Sequence, residues 1–293
     1  MSRITETLRL YYALTKPGIV ISNSLTTVAG FLFAASMVPV VWLAGLGVVA
    51  GTALIIASAC VINNIIDRKI DIRMERTKKR SLVTGIISVP RAVTFAVLMG
   101  LVGFASLIFL TNTLTVIIGI IAYVFYIVIY GYAKRTSEHG TLVGTVPGAL
   151  PPVAGYIALT NQLDLAALLL FLLLVAWQMA HFYAIAIYRR KEYAKAKVPI
   201  LTVVRGNKPA MEQMVIYIAA FVLIAANFTI AGYTGALFAV VMVAIGSMWF
   251  LRALKALPLK DAALEKSARK LFGFSLLVNL VMCAAIAGGG YVF

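Results

Sequence analysis

Nine apolar stretches, separated alternately by very short turns and by charged loops, leave this chain few ways to fold. They run about Ile19–Met37, Val40–Ile62, Ala92–Leu110, Thr113–Ala133, Leu142–Leu159, Leu165–Tyr188, Val215–Ala231, Thr234–Leu251 and Leu271–Val292. Each is near the length of about 20 residues that a helix needs to cross the hydrocarbon core of a bilayer. Hydrophobic residues make up 62% of the chain and charged residues 12%, about half the charged share of a soluble domain. The expected fold is therefore all-α: a polytopic membrane protein with one domain over residues 1–293. The residues before Lys16 are polar and basic, and no small-residue cleavage site follows Met37, so the first stretch reads as a retained helix.

The basic residues give the helices a sidedness. Val38-Pro39, Thr111-Asn112, Thr160-Asn161-Gln162 and Gly232-Tyr233 join alternate pairs of stretches and carry no Lys or Arg. All 26 Lys and Arg residues lie in the N-terminal arm and the other four connections. By the positive-inside rule that side is cytoplasmic, which puts the N-terminus inside and the C-terminus outside. Nine of the ten acidic residues share it, and Asp164 alone lies opposite. The net charge of +16 is thus explained by membrane topology and does not call for nucleic acid.

After the second stretch comes Asn63-Asn64-Ile65-Ile66-Asp67-Arg68-Lys69-Ile70-Asp71, then Arg73, Glu75, Arg76, Lys78, Lys79 and Arg80. On a helix, Asn63, Asp67 and Asp71 drift only about 40° per step and share one face. Two carboxylates and an amide oxygen form a hard, oxygen-only donor set. Such a set suits Mg²⁺, which takes one or two carboxylates together with substrate phosphates. The basic run beyond would hold the rest of a phosphate. Spacing alone is equally compatible with a charged loop that stops translocation and binds anionic lipid.

A second polar cluster, Trp177-Gln178-Met179-Ala180-His181-Phe182-Tyr183, ends the sixth stretch, and Glu192 follows among nearby cations. An ionisable side chain at membrane depth is costly without a partner, which makes His181 a functional candidate; it also suits a bond between helices. Glu192 read alone is a local ion pair. The fifth stretch, dense in Gly and Pro from Gly144 to Gly155, is expected to kink and pack closely. Cys60 and Cys283 both lie in apolar stretches, which supports neither a disulfide framework nor a thiolate metal site. The P-loop, HExxH and dinucleotide signatures are absent.

Taken together these motifs resemble those of the UbiA-type intramembrane prenyltransferases, and within them the protohaem IX farnesyltransferase (haem O synthase) family. The likeness covers nearly the whole length. Besides Asn63–Asp71 it rests on Thr15-Lys16-Pro17-Gly18, Met74-Glu75-Arg76-Thr77-Lys78-Lys79-Arg80, Gly148-Ala149-Leu150-Pro151-Pro152-Val153-Ala154-Gly155, Trp177–Ala184 and Val198-Pro199-Ile200-Leu201. The chain departs at Ser81 and Ala180, where many members have proline. It also departs after the sixth stretch, where the wider superfamily has a second aspartate-rich motif and this chain offers only Glu192.

The resemblance implies nine transmembrane helices around a central cavity, in the bacterial inner membrane. It implies transfer of a farnesyl group from farnesyl diphosphate to a vinyl group of haem b, with water addition, giving haem O and diphosphate. Asp67 and Asp71 would hold Mg²⁺, with help from Asn63 or Asn64. Arg76, Lys79, Arg80, Lys134 and Arg135 are candidates for the diphosphate clamp, and His181 for contact with the haem. Glu192 is carried as a candidate binding residue. Membrane lipid surrounds the chain, and a downstream haem-modifying enzyme or a terminal oxidase is a candidate partner. The rival readings are a related enzyme acting on a quinone precursor or chlorin, and a transporter. Against a transporter, no ionisable group lies near the centre of a stretch, where coupling-ion sites sit.

Overall fold

A computed structural model describes residues 3–291, and among them the regular structure is helical with no strand. The helices are α1 (Arg3–Leu14), α2 (Pro17–Ala35), α3 (Trp42–Ile66), α4 (Arg68–Asp71), α5 (Val89–Leu110) and α6 (Thr113–Val124). There follow α7 (Gly131–Thr136), α8 (Gly140–Thr160), α9 (Leu165–Tyr188), α10 (Arg190–Lys195), α11 (Leu201–Val204), α12 (Asn207–Ile230), α13 (Ala236–Ala256) and α14 (Asp261–Gly289). A π-helical segment, Phe125–Tyr130, joins α6 to α7, so Thr113–Thr136 forms one long helix. Nine of the described helices are long and apolar enough to cross a membrane.

Local chemistry explains where several of these helices begin. Pro17 opens α2 and Pro90 lies in the first turn of α5, where a missing N–H costs nothing. The Asn112 side chain caps α6 by accepting from the Thr115 N–H at 3.0 Å, and Asp164 caps α9 through Ala167 N–H at 3.0 Å. Asp164, the lone acid on its side, thus has a structural task. Its other oxygen accepts from the Tyr156 hydroxyl at 2.7 Å.

The expected spans are all present, with two substantial differences. The seventh begins at Asn207, two turns before Val215. The ninth begins at Asp261, well before Leu271, because the stretch to Lys270 is helix-forming and buries Leu264 and Ala268. Its expected end at Val292 lies outside the described residues.

α3, α8 and α9 are the most buried of the spanning helices, and α2 packs along α8 while α14 packs on α9 and α2. The α2–α8 contact explains the glycines of the fifth span. A Cβ on Gly155 would lie 2.0 Å from the Thr27 carbonyl oxygen, and one on Gly30 would lie 2.0 Å from that of Pro152. Only hydrogen fits at either crossing point, so the two backbones meet directly.

The charged segments assigned to one side do share a face. Lys195 pairs with Glu75 at 3.6 Å, Arg205 with Glu138, and Lys191 with Glu265 at 3.9 Å, so each link crosses between different connections. Beneath them Met74 packs with Ala196 and Val198, joining the long loops after α3 and α9. Each opens with a short helix, α4 in one and α10 in the other.

Candidate active site

The Asn63–Asp71 motif bends at the end of α3, where Asp67 is the last capping residue, and continues into α4. Asp71 N–H donates to the Asp67 carbonyl at 2.9 Å, which preserves the helical spacing of the two carboxylates. Asn63, Asn64, Asp67 and Asp71 are all buried. A buried carboxylate needs charged partners, and both have them. Lys134 donates to Asp67 Oδ2, and Arg135 Nη2 donates to Oδ1 at 2.8 Å. Arg80 Nη1 donates to Asp71 Oδ2 at 2.6 Å. Burial alone would raise the Asp67 carboxyl, but Lys134, then Lys16 and Arg135, hold it below the usual carboxylate range.

Lys134 and Arg135 come from α7, directly after the π-helical segment, a local widening often found at functional sites. The Tyr130 ring that closes this segment packs against Gly144, where a Cβ would lie 2.7 Å from the ring. The Lys134 amine lies 5.9 Å from the centre of that ring.

Lys16 joins the cluster, although the acidic motif does not announce it. It sits at a left-handed backbone position just before α2, with φ 53°, and its amine donates to Asn63 Oδ1 at 2.8 Å. Burial of the amine, reinforced by Lys134 and Arg80, lowers its pKa to about 8 against the pull of Cys60 and Asp67. The signal available in the sequence was its place in Thr15-Lys16-Pro17-Gly18, where Pro17 marks the first turn of a spanning helix.

The amides divide their roles. Asn64 is fully engaged, donating to the Leu14 carbonyl at 2.8 Å and accepting from Arg80 at 3.0 Å, so it braces the site. Asn63 accepts from Lys16, and its Nδ2 is buried without a partner. A buried unpaired N–H group costs free energy, and an incoming anion would satisfy it. The expected metal help from an amide oxygen thus meets a different arrangement, with both oxygens already bonded to cations.

The structure does not bring every candidate together. Arg76 and Lys79 are exposed. Glu192 pairs with Arg189 at 3.0 Å, one turn away, and contributes nothing to the Asp67 cluster. Among the described residues no group of three His, Cys, Asp or Glu side chains could hold a metal. Two carboxylates on consecutive turns still fit a cation such as Mg²⁺, provided that phosphate oxygens or water complete its shell. Four cations from three segments gather on these carboxylates and amides, a chemistry suited to binding and neutralising a diphosphate.

His181 forms a separate cluster in the last two turns of α9. Its ring stacks on Trp177 with centres 4.8 Å apart and lies 5.0 Å from that of Phe272 in α14. Nδ1 lies 2.7 Å from the Ser275 hydroxyl oxygen, a partner that sequence reasoning missed because it is 94 residues away.

This fold and these motifs have counterparts. The UbiA prenyltransferase family matches residues 23–279, and the chain belongs to that family. It is 42% identical to protoheme IX farnesyltransferase 1 of Shewanella frigidimarina, over 98% of this chain and 94% of that protein. It is 45% identical to protoheme IX farnesyltransferase 2 of Pseudomonas putida, over 91% of this chain and 90% of that protein. Among solved structures, digeranylgeranylglyceryl phosphate synthase superposes with a TM-score of 0.80 at 19% identity, covering 97% of this chain and 99% of that one. A UbiA homologue from Archaeoglobus fulgidus, bound to GPP and Mg²⁺, superposes with a TM-score of 0.66 at 17% identity, covering 94% and 99%. The protein is therefore an integral membrane prenyltransferase with the UbiA fold.

Proposed function

We propose that this protein transfers the farnesyl group of farnesyl diphosphate to a vinyl group of protohaem IX, with addition of water, giving haem O and diphosphate. The observation that carries the leaving-group half is the Asp67–Asp71 cluster, with its ring of cations and the unpartnered Asn63 N–H. The acceptor comes from the relatives, which share close to half their residues with this chain over nearly its full length.

Lys134, Arg135, Arg80 and Lys16 lie where they can transfer hydrogen bonds from the carboxylates and Asn63 to diphosphate oxygens. Charge-assisted bonds to those oxygens strengthen as the allylic C–O bond breaks and negative charge develops on the leaving group. Mg²⁺ bound between Asp67, Asp71 and the diphosphate would neutralise the same oxygens. The apolar helices keep water from the allylic carbon, whose early capture would only hydrolyse the donor. The vinyl group supplies the electron pair for the new C–C bond. Water then adds to the remaining carbocation and releases a proton. His181 is the candidate for contact with the haem.

We assign the basic rim to the cytoplasmic face of the bacterial inner membrane, with the N-terminus inside and the C-terminus outside, from the distribution of Lys and Arg. A downstream haem-modifying enzyme or a terminal oxidase would receive the product. The test is incubation of purified protein with haem b, farnesyl diphosphate and Mg²⁺, with mass spectrometry of the tetrapyrrole. A haem carrying the hydroxyethylfarnesyl substituent is expected. Diphosphate release with unmodified haem, or farnesyl transfer only to a quinone precursor or a chlorin, would reject the proposal.

A further inference from the structure

Ser275 in α14 has no exposed surface, and α9 engages both of its oxygens. Its carbonyl accepts from Trp177 Nε1 at 2.8 Å, and its hydroxyl oxygen lies 2.7 Å from His181 Nδ1. The same hydroxyl lies 2.6 Å from the Phe272 carbonyl oxygen. A serine hydroxyl has one hydrogen to donate and lone pairs with which to accept. If that hydrogen went to His181, two oxygens would face each other at 2.6 Å with no proton between them. Donation to Phe272 satisfies both contacts, so the proton shared with His181 comes from Nδ1.

The other ring nitrogen then carries a free electron pair. His181 Nε2 has no hydrogen-bond partner among the described residues, and it is absent from the buried atoms that are sealed and unpartnered. The stack on Trp177, with ring planes 22° apart, restrains the imidazole in the orientation that meets Ser275. A hydrogen bond at one nitrogen is the usual means of directing the other toward iron.

We infer that Ser275 is a positioning residue, which holds His181 as the neutral Nδ1–H tautomer so that Nε2 presents its electron pair to the iron of the tetrapyrrole acceptor. The iron half of this inference rests on the acceptor proposed above; the tautomer half does not. A Ser275 that only joined α9 to α14 would leave iron ligation by His181 unchanged when its hydroxyl is removed.

The two histidines of the chain make the tautomer directly readable. Detergent-solubilised full-length protein carrying H139Q and ¹⁵N-labelled histidine would report His181 alone. With no haem present, its ¹⁵N resonances should show a protonated Nδ1 and an unprotonated Nε2. S275A should move the proton wholly or partly to Nε2, and S275T, which restores a hydroxyl, should return it. Ferric haem b would then be titrated in, followed by its Soret band and electron paramagnetic resonance. An imidazole-ligated signature is expected in the wild type and S275T and should vanish in H181A. Affinity should fall about 10- to 100-fold in S275A. A proton on Nε2 in the wild-type protein, or an S275A variant unchanged in tautomer, would overturn the inference. The expected tautomer with a haem spectrum unaltered by H181A would overturn its iron half. A wild-type protein that binds no haem would instead overturn the acceptor assignment.

Discussion

The Lys16 amine donates to Asn63 Oδ1 across 2.8 Å, tying the residue before the first spanning helix to the last turn of the second. This bond places a cation with a pKa of about 8 beside the Asp67 carboxylate. The ordinary value is 10.5, so the folded protein disfavours the charged amine. The sign follows: its unfavourable effect on folding is full below about pH 8 and is relieved as pH rises toward 10.5. Binding of farnesyl diphosphate should respond oppositely, because the amine loses its charge. The KM for farnesyl diphosphate should rise as pH passes about 8 in the wild type and stay flatter in Lys16→Arg. Steady-state kinetics from pH 7 to 9.5 would check this, and equal slopes in both proteins would count against a role for Lys16.

Asp67→Asn and Asp71→Asn should each lower turnover by about 10²- to 10³-fold, the scale of losing one preorganised electrostatic contact. Both variants should still insert and fold. Lys134 and Arg135 have side chains 21% and 32% exposed, so water can take up the charge freed by Asp67→Asn. Farnesylated haem by mass spectrometry gives the rate, and size-exclusion chromatography in detergent reports folding. Near-wild-type turnover in both would remove the carboxylates from the mechanism.

Glu192→Gln should leave the Mg²⁺ concentration dependence of turnover unchanged. Its carboxylate is occupied by Arg189 one turn earlier, and such partly exposed pairs contribute only about 0.2–1 kcal/mol. A shifted Mg²⁺ optimum would bring the loop after α9 into the metal site.

Gly155→Ala should destabilise strongly, because its Cβ would lie 2.0 Å from a backbone oxygen that cannot move without separating α2 from α8. Overpacking of this kind costs about 1–3 kcal/mol or more. Gly273→Ala is the matched control: nothing lies within 4 Å, and replacing a helical glycine adds up to about 1 kcal/mol. Thermal unfolding in detergent should therefore separate the two variants in opposite directions.

The division between what was legible and what was not follows the range of each interaction. The spans were readable because an apolar run of membrane length can only be a crossing segment, and the sidedness because Lys and Arg are excluded from one set of turns. The shared face of Asn63, Asp67 and Asp71 was readable because helical spacing is local. Glu192 was also legible as a local pair, since its partner stands three residues away.

What the sequence determined by itself, then, is an all-helical membrane protein with an acidic and basic rim on one side. Only the tertiary structure decided which cation meets which carboxylate. Lys134 and Arg135 reach Asp67 across 67 and 68 residues, Lys16 reaches Asn63 across 47, and Ser275 reaches His181 across 94. Nothing periodic encodes such pairings. They arise where glycine-lined crossings let helices approach, and where burying a charge or an imidazole leaves it no stable alternative to the partner that packing supplies.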